Sequence, residues 1–180
     1  MQTDKKHKYP PVVVVDQDDN EIGSAMLADV WRQGLYHRIS SVFVLDDINR
    51  ILLQLRSSNV GIYPNCWDQS VGGHVDEGCS YEQTATDELA EEIGLSGVVL
   101  KELGTFRFNH KFDDGRIVNQ FERIFLVKVP HDIKLVPDKE ELAELKWFTA
   151  SELKEKIVEM PEMFTPVLRY ALNRFFPYFV

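Results

Sequence analysis

The chain has 180 residues, is 44% hydrophobic and carries a formal net charge of −9 at pH 7. This length suffices for one sizeable core and is short for two ordinary domains, so a single domain over 1–180 is predicted. The negative charge argues against a nucleic-acid polymer as partner, but it is compatible with a small diphosphate substrate that arrives with cations.

The N-terminus predicts neither secretion nor membrane insertion. Met1 to Lys8 is polar, and the apolar run Val12 to Val15 is too short for a signal-peptide core or a membrane span. Cys66 and Cys79 form neither a C-x-x-C pair nor a zinc-ligand spacing. A reducing, cytoplasmic location without a membrane partner is therefore expected.

The first third of the chain is predicted to be rich in strands, with residues 1–36 forming an N-terminal extension. Strands are expected at Val12 to Val15, Ile39 to Leu45 and Ile51 to Leu55, and the last two would form a hairpin around the polar turn 46–49. A short helix is predicted at Met26 to Gln33, closed by Gly34.

The middle of the chain contains the clearest helix. A short strand, Trp67 to Val71, is expected to lead into a tight turn at Gly72-Gly73. Ser80 followed by Gln83 predicts a capping box, and Gly94 marks a stop, so a helix is placed at about 80–93.

The remainder alternates between strands and helices. Strands are predicted at Val98 to Phe108, Phe121 to Val129 and Glu144 to Phe148, and helices at Ser151 to Glu159 and Glu162 to Phe175. Together these elements predict a mixed α/β (α+β) fold.

Three carboxylates share one face of the predicted helix 80–93. Glu88, Glu91 and Glu92 lie at i, i+3 and i+4, where like charges destabilise a helix by a few tenths of a kcal/mol per pair unless a cation compensates. Oxygen ligands without sulfur suit Mg²⁺ or Mn²⁺. A solvated acidic face is the alternative, and it is the commoner meaning of such a pattern taken alone.

Residues 73–95 resemble the Nudix box. That pattern runs Gly, five residues, Glu, seven residues, Arg, Glu, an aliphatic, any residue, Glu, Glu, any residue, Gly, an aliphatic, and seven of its nine fixed positions match here. The resemblance implies a Nudix fold, in which a mixed sheet is sandwiched between helices. It also implies that divalent metal is held by Glu88, Glu91, Glu92 and the Gly73 carbonyl.

The same resemblance implies roles in catalysis. Glu88 and Glu91 would act in the attack of water on a diphosphate linkage, and the proton would be accepted by a carboxylate of the box or of a later loop. Glu140 and Glu141 are the loop candidates, and Glu141 is preferred. An ordinary acidic loop is the alternative for both residues.

Two positions depart from the box. Cys79 stands at the first fixed Glu and Asp87 at the fixed Arg, so a supporting pair of the family is absent. Loss of such a pair can lower metal affinity or rate by one to two orders of magnitude. Asp76 or Glu77 are candidates to replace the absent carboxylate. The departures leave open a catalytically weak or inactive module that binds a nucleotide or a protein.

Further residues have two interpretations each. His74 is a candidate substrate contact or a structural hydrogen-bonding group, and Arg38 is a candidate phosphate ligand or half of a surface ion pair. The aromatic C-terminus, 175–180, is compatible with a homodimer contact, with core packing or with an exposed tail.

The wider resemblance, over about residues 10 to 175, is to the isopentenyl-diphosphate-isomerase-like branch of Nudix proteins. It is carried by His37-Arg38, Leu53 to Ser57, Tyr63-Pro64, Trp67-Asp68, the Gly-Gly-His turn and Glu141 to Trp147. Isomerases of this branch have a catalytic cysteine where this chain has Gly72. The expected function is therefore metal-dependent hydrolysis of a nucleoside diphosphate-linked or related pyrophosphate compound, and isomerisation of a prenyl diphosphate is disfavoured.

Overall fold

The structure, a computed structural model, describes residues 10–179, so the polar segment Met1 to Lys8 and Val180 lie outside the described residues. In chain order its elements are β1 (Val12–Val15), β2 (Glu21–Ala25), α1 (Leu27–Gln33), β3 (Tyr36–Asp46), β4 (Arg50–Arg56), β5 (Trp67–Asp68), β6 (Val71–His74), α2 (Tyr81–Ile93), β7 (Lys101–Lys111), β8 (Ile117–Val129), β9 (Leu142–Thr149), α3 (Ala150–Glu159) and α4 (Pro166–Phe175), with 3₁₀ turns at Pro161–Met163 and Phe176–Tyr178.

Strand β3 is the hub of a mixed sheet. It runs parallel to β8 along its whole length, and its other edge pairs antiparallel with β1, β6 and β4 in succession. Strand β7 extends the sheet beyond β8, and β9 extends it beyond β4. Because β1 pairs with both β2 and β3, the predicted N-terminal extension joins the same sheet.

Helices cover both faces of this sheet. The apolar stripe of α2, formed by Tyr81, Ala85, Leu89 and Ile93, packs against a core that includes Val42, Val44 and Phe125. Alternate residues of the same strands, among them Phe43, Leu45 and Ile124, face the opposite core beneath α3 and α4. This period of two in β3 and β8 is what places a hydrophobic face on each side. The predicted sandwich of a mixed sheet between helices is confirmed.

The ends of α2 largely follow the sequence prediction. The Ser80 hydroxyl accepts a hydrogen bond from the Gln83 backbone N–H at 3.1 Å, and Gly94 closes the helix at φ +69°. The Gln83 side chain, however, donates to Asp87 at 2.8 Å. The predicted capping box is therefore only half formed, because the Gln83 side chain reaches forward to Asp87 and not back to the Ser80 backbone N–H.

Several predicted elements need correction. Gly72-Gly73 is not a tight turn but the centre of β6, where the two glycines pair with Ser41 and Ser40. The predicted strand Trp67 to Val71 is split between β5 and β6. The predicted helix Glu162 to Phe175 begins only at Pro166, because Thr165 caps it through a hydrogen bond from the Leu168 N–H. Strand β2 had no sequence prediction, since its residues are almost all exposed.

The C-terminal aromatic residues pack inward. Phe179 is 1% exposed and its ring centroid lies 4.8 Å from that of Phe43, while Phe175 also belongs to the core beneath α4. Of this segment Tyr178 is half exposed. Core packing is therefore the interpretation that the described part of the tail supports.

Candidate functional site

The site is built where α2 crosses the glycine strand β6. Gly73 has no side chain at the point where the Glu88 carboxylate approaches, and a Cβ there would lie 1.8 Å from Glu88 Oε1. Ordinary van der Waals contact begins at about 3.4 Å, so only glycine permits this approach. The backbone of Gly73 and the Glu88 carboxylate are thereby held side by side.

Glu88 is half-buried in a negatively charged surrounding. Burial raises the pKa of its carboxyl to about 7, and the charges of Glu141, Glu91, Asp76 and Asp87 act in the same direction. Both causes disfavour the ionised form. A cation beside Glu88 would relieve this repulsion.

Glu92 lies deeper and is 5% exposed. Its pKa is raised well above the usual value by burial and then by the charges of Glu88 and Glu141, while a hydrogen bond with the Gly72 backbone and the charge of Arg56 oppose this. The Gln54 amide donates to Glu92 Oε2 at 3.4 Å. This carboxyl is thus fixed between α2 and β4.

The remaining acids lie at the exposed edge of the carboxylate group. Glu91 is exposed, and its charge raises the pKa of Asp76 after the larger effect of burial. Asp76 therefore lies near the box acids, whereas Glu77 is exposed on the turn beyond it. Cys79 packs against the core under α2, so its side chain takes part in core packing.

Glu141 comes from the loop between β8 and β9, which is anchored on the end of α2. The backbone N–H groups of Val136 and Asp138 donate to the carbonyls of Ile93 and Glu92, at 2.9 and 2.8 Å. These bonds satisfy two helix-terminal carbonyls that would otherwise lack partners. Among the two predicted loop acids, Glu141 is half-buried and acts on Glu88 and Glu92, whereas Glu140 is exposed.

The donor set fits a hard divalent cation. The predicted ligands are carboxylates and a backbone carbonyl, which Mg²⁺ and Mn²⁺ prefer, and the charges of neighbouring carboxylates add to burial in raising the pKa values of Glu88 and Glu92. Within residues 10–179 no three His, Cys, Asp or Glu side chains already converge on a cation-holding geometry.

His74 lies on β6 directly after Gly73. Its ring stacks on that of His37, with centroids 5.3 Å apart, and burial lowers the pKa of His74 to about 3 and of His37 to about 4. Both imidazoles are therefore neutral near pH 7. His74 lies next to the carboxylate group because it directly follows Gly73, against which Glu88 packs.

The Arg38 side chain pairs with an acid outside the Nudix box. Its guanidinium pairs with Asp19, with Nε 2.7 Å from Oδ1, and lies over the Tyr81 ring. In this arrangement Arg38 is half of an ion pair, which is the second of its two interpretations. The guanidinium whose charge reaches Glu92 and His74 is that of Arg56, to which the sequence analysis assigned no role.

A second buried polar group also escaped the sequence analysis. Glu122 of β8 is 1% exposed and accepts hydrogen bonds from the side chains of Gln69 and Gln120, each at 2.7 Å. Burial raises the pKa of Glu122 to about 8. The signal was the polar pair Gln120 and Glu122 on the same face of an otherwise apolar strand.

Comparison with known proteins agrees with this architecture. The NUDIX domain family model matches residues 35–170. An isopentenyl-diphosphate Delta-isomerase of Nocardia farcinica is 32% identical over 91% of this chain and 93% of that protein. A Streptomyces coelicolor protein described as an uncharacterised Nudix hydrolase is 31% identical over 81% of this chain and 78% of its own length.

A solved structure shares the fold. DR0079 from Deinococcus radiodurans superposes with a TM-score of 0.75 at 19% identity, covering 91% of this chain and 98% of that one. Among residues 10–179 no helix is long and apolar enough to cross a membrane. The family model, the identity with full-length relatives and the shared fold together show that the chain belongs to the Nudix family.

Proposed function

We propose that this chain hydrolyses a nucleoside diphosphate-linked or related pyrophosphate compound with the help of Mg²⁺ or Mn²⁺. The observation that carries the proposal is the approach of Glu88 to Gly73, amid the charges of Glu91, Glu92 and Glu141. The Nudix fold supports pyrophosphate hydrolysis in general, and this carboxylate group provides the chemistry that such a reaction needs.

Each residue of the group has a proposed task. Glu88, Glu91 and Glu92 would hold the cation together with the Gly73 carbonyl. When bound, the cation supplies charge neutralisation on the phosphate oxygens and makes water acidic enough to attack near neutral pH. Glu141 would accept the proton of the attacking water, because its loop anchors it beside Glu88 without burying it as deeply as Glu92.

The test of the hydrolase is product release from a substrate panel. Nucleoside diphosphates and triphosphates, dinucleotide cofactors and sugar nucleotides would be incubated with Mg²⁺ or Mn²⁺, and in parallel with chelator. Turnover that the chelator abolishes is the expected result. Absence of turnover across the panel, from folded protein that still binds a nucleotide, would contradict the proposal and support the binding module suggested by Cys79 and Asp87.

The proton acceptor has its own test. Glu141→Gln keeps the shape of the side chain and removes the base, and Glu140→Gln is a matched control on the exposed neighbouring position. We expect kcat to fall about 100-fold or more in the first variant and to change little in the second. Equal effects of the two substitutions would remove Glu141 from the role.

Isomerisation of a prenyl diphosphate is the second candidate. It is favoured by the name of the Nocardia relative and by buried Glu122, whose pKa of about 8 keeps it protonated near neutral pH. Moving a double bond requires a proton to be added at one carbon and removed from another, and a neutral carboxylic acid can donate the first. Gly72 opposes this candidate, since the cysteine of the isomerases is absent there. Formation of dimethylallyl diphosphate from isopentenyl diphosphate would establish it.

A further inference from the structure

Four aromatic rings form a cluster next to the carboxylate group. The aromatic cluster consists of Trp31 of α1, Tyr63 of the loop after β4, His110 of β7 and Phe112, which follows β7. The Phe112 ring centroid lies 4.5 Å from that of His110 and 5.3 Å from that of Tyr63. The Arg116 guanidinium lies 5.8 Å from the Trp31 ring and 5.1 Å from the Phe112 ring, and so connects Trp31 with the other three.

The aromatic cluster is contiguous with the site. The ring centroid of Trp31 lies 6.1 Å from that of His74, and His74 directly follows Gly73, against which Glu88 packs. A ligand whose diphosphate lay beside Glu88 could therefore extend past His74 toward the rings. Each of the four aromatic side chains is partly exposed, so the cluster is open to solvent at its margin.

Polar atoms around the aromatic cluster lack partners. Trp31 Nε1, Tyr63 OH and His37 Nε2 are buried and have no hydrogen-bond partner among the described residues, and the His37 side chain is fully buried. Buried polar atoms of folded proteins nearly always have a partner, so Trp31 Nε1 and Tyr63 OH are available to pair with polar atoms of a ligand that reaches them. Burial also raises the pKa of Tyr63 to about 12, so its hydroxyl keeps the proton that it could donate.

The backbone conformation of Tyr63 is a second, independent observation in favour of a ligand-binding site. Tyr63 has φ +48°, a left-handed conformation that a bulky side chain rarely adopts. Strained residues of this kind persist where the surroundings hold them, and they concentrate at ligand-binding sites. Arg116 contributes to this support, because its Nη1 donates to the Gly61 carbonyl at 2.8 Å, two residues before Tyr63.

We propose that the aromatic cluster binds the nucleobase of the substrate, so that the site selects nucleotide diphosphates over prenyl diphosphates. This inference rests on the proposed function of the carboxylate group. A base has a flat face that stacks on aromatic rings and polar edges that pair with orphaned donors and acceptors. A five-carbon prenyl chain offers neither, and it would leave Trp31 Nε1 and Tyr63 OH unpartnered.

The test measures binding without turnover. Isothermal titration calorimetry with Mg²⁺ would compare the α,β-methylene analogues of ADP, GDP, CDP and UDP with methylenediphosphonate, which lacks a base, and with isopentenyl diphosphate. Phe112→Leu removes a flat ring but keeps apolar bulk. Lys111→Ala, at the exposed neighbouring position, is the control, and Tyr63→Phe removes only the orphaned hydroxyl.

The expected results are specific to the base. At least one nucleotide analogue should bind about tenfold or more tightly than methylenediphosphonate, and Phe112→Leu should weaken that analogue about 5- to 100-fold without affecting methylenediphosphonate. Lys111→Ala should change neither. Equal affinities for the nucleotide and base-free ligands, equal losses for both in Phe112→Leu, or a preference for isopentenyl diphosphate that Phe112→Leu removes would overturn the inference.

The two proposals fail separately. Base-specific binding with no hydrolysis would sustain the nucleobase site and refute the hydrolase. Hydrolysis with no base-specific binding would sustain the hydrolase and refute the nucleobase site.

Discussion

Gly73→Ala should disable the carboxylate group while leaving the fold intact. The new Cβ would lie 1.8 Å from Glu88 Oε1, 2.4 Å from Cδ and 2.8 Å from Cγ. To restore ordinary contact the carboxylate must retreat by about 1.6 Å, and it can do so because it is the end of a flexible side chain. A misplacement of about 1 Å in a catalytic group can cost about 100-fold in rate, so we expect kcat/KM to fall at least about 100-fold.

Gly72→Ala is the matched control for this substitution. Its Cβ would meet the Ser41 hydroxyl at 3.0 Å, on the opposite face of the same strand, and neither glycine has a positive φ that would strain alanine. Rates would be measured as product release with saturating Mg²⁺, and folding by thermal unfolding. If Gly73→Ala kept more than a third of the wild-type rate, or if Gly72→Ala lost as much, the assignment of Glu88 beside Gly73 to catalysis would be refuted.

Glu92→Gln should remove most metal-dependent turnover with little change in melting temperature, since an amide can still accept from Gln54, and an unchanged rate would contradict metal binding by Glu92. Cys79→Glu combined with Asp87→Arg should raise the rate about 10- to 100-fold if the missing family pair limits it, and an unchanged rate would locate the limit elsewhere. In the presence of chelator, the contribution of Glu122 to the free energy of unfolding should fall by up to about 2 kcal/mol between about pH 6.5 and 8, because Glu122 with its pKa of about 8 stays protonated in the folded chain and is ionised in the unfolded chain. Urea unfolding should show a smaller slope with pH in Glu122→Gln, and an undiminished slope would mean that Glu122 is ionised in the folded protein.

The sequence predicted those parts of the molecule whose signals are local. Helix α2 was predicted from Ser80, Gln83 and Gly94, which all act at the ends of the helix itself. The hairpin of β3 and β4 was predicted for the same reason, because a polar turn separates two apolar runs. The box acids were predicted from a contiguous sequence pattern, and helical geometry alone places them on one face.

Contacts between distant segments were not predictable in this way. The assignment of Gly72-Gly73 to a turn followed the usual preference of paired glycines, but here a close approach by Glu88 requires the glycine at 73. Arg38 looked available for phosphate because its partner Asp19 lies in a loop 19 residues earlier. The bonds of Glu122 to Gln69 and Gln120 likewise depend on the alignment of β8 with its neighbours, which no local pattern encodes.

The anchorage of the β8–β9 loop on α2 has a consequence for how this scaffold can vary. Because Val136 and Asp138 are bonded to the end of α2 and the Glu141 carbonyl accepts from the Ser57 N–H, the reach of Glu141 is set by the residues from Val136 onward and by strand β4. Of the residues before Val136, His131 and Lys134 are exposed, so insertions beside them cost little entropy and leave that reach unaltered, whereas Ile133 and Leu135 pack against the core and must be kept. Loop grafts that aim at new substrates should therefore end before Val136.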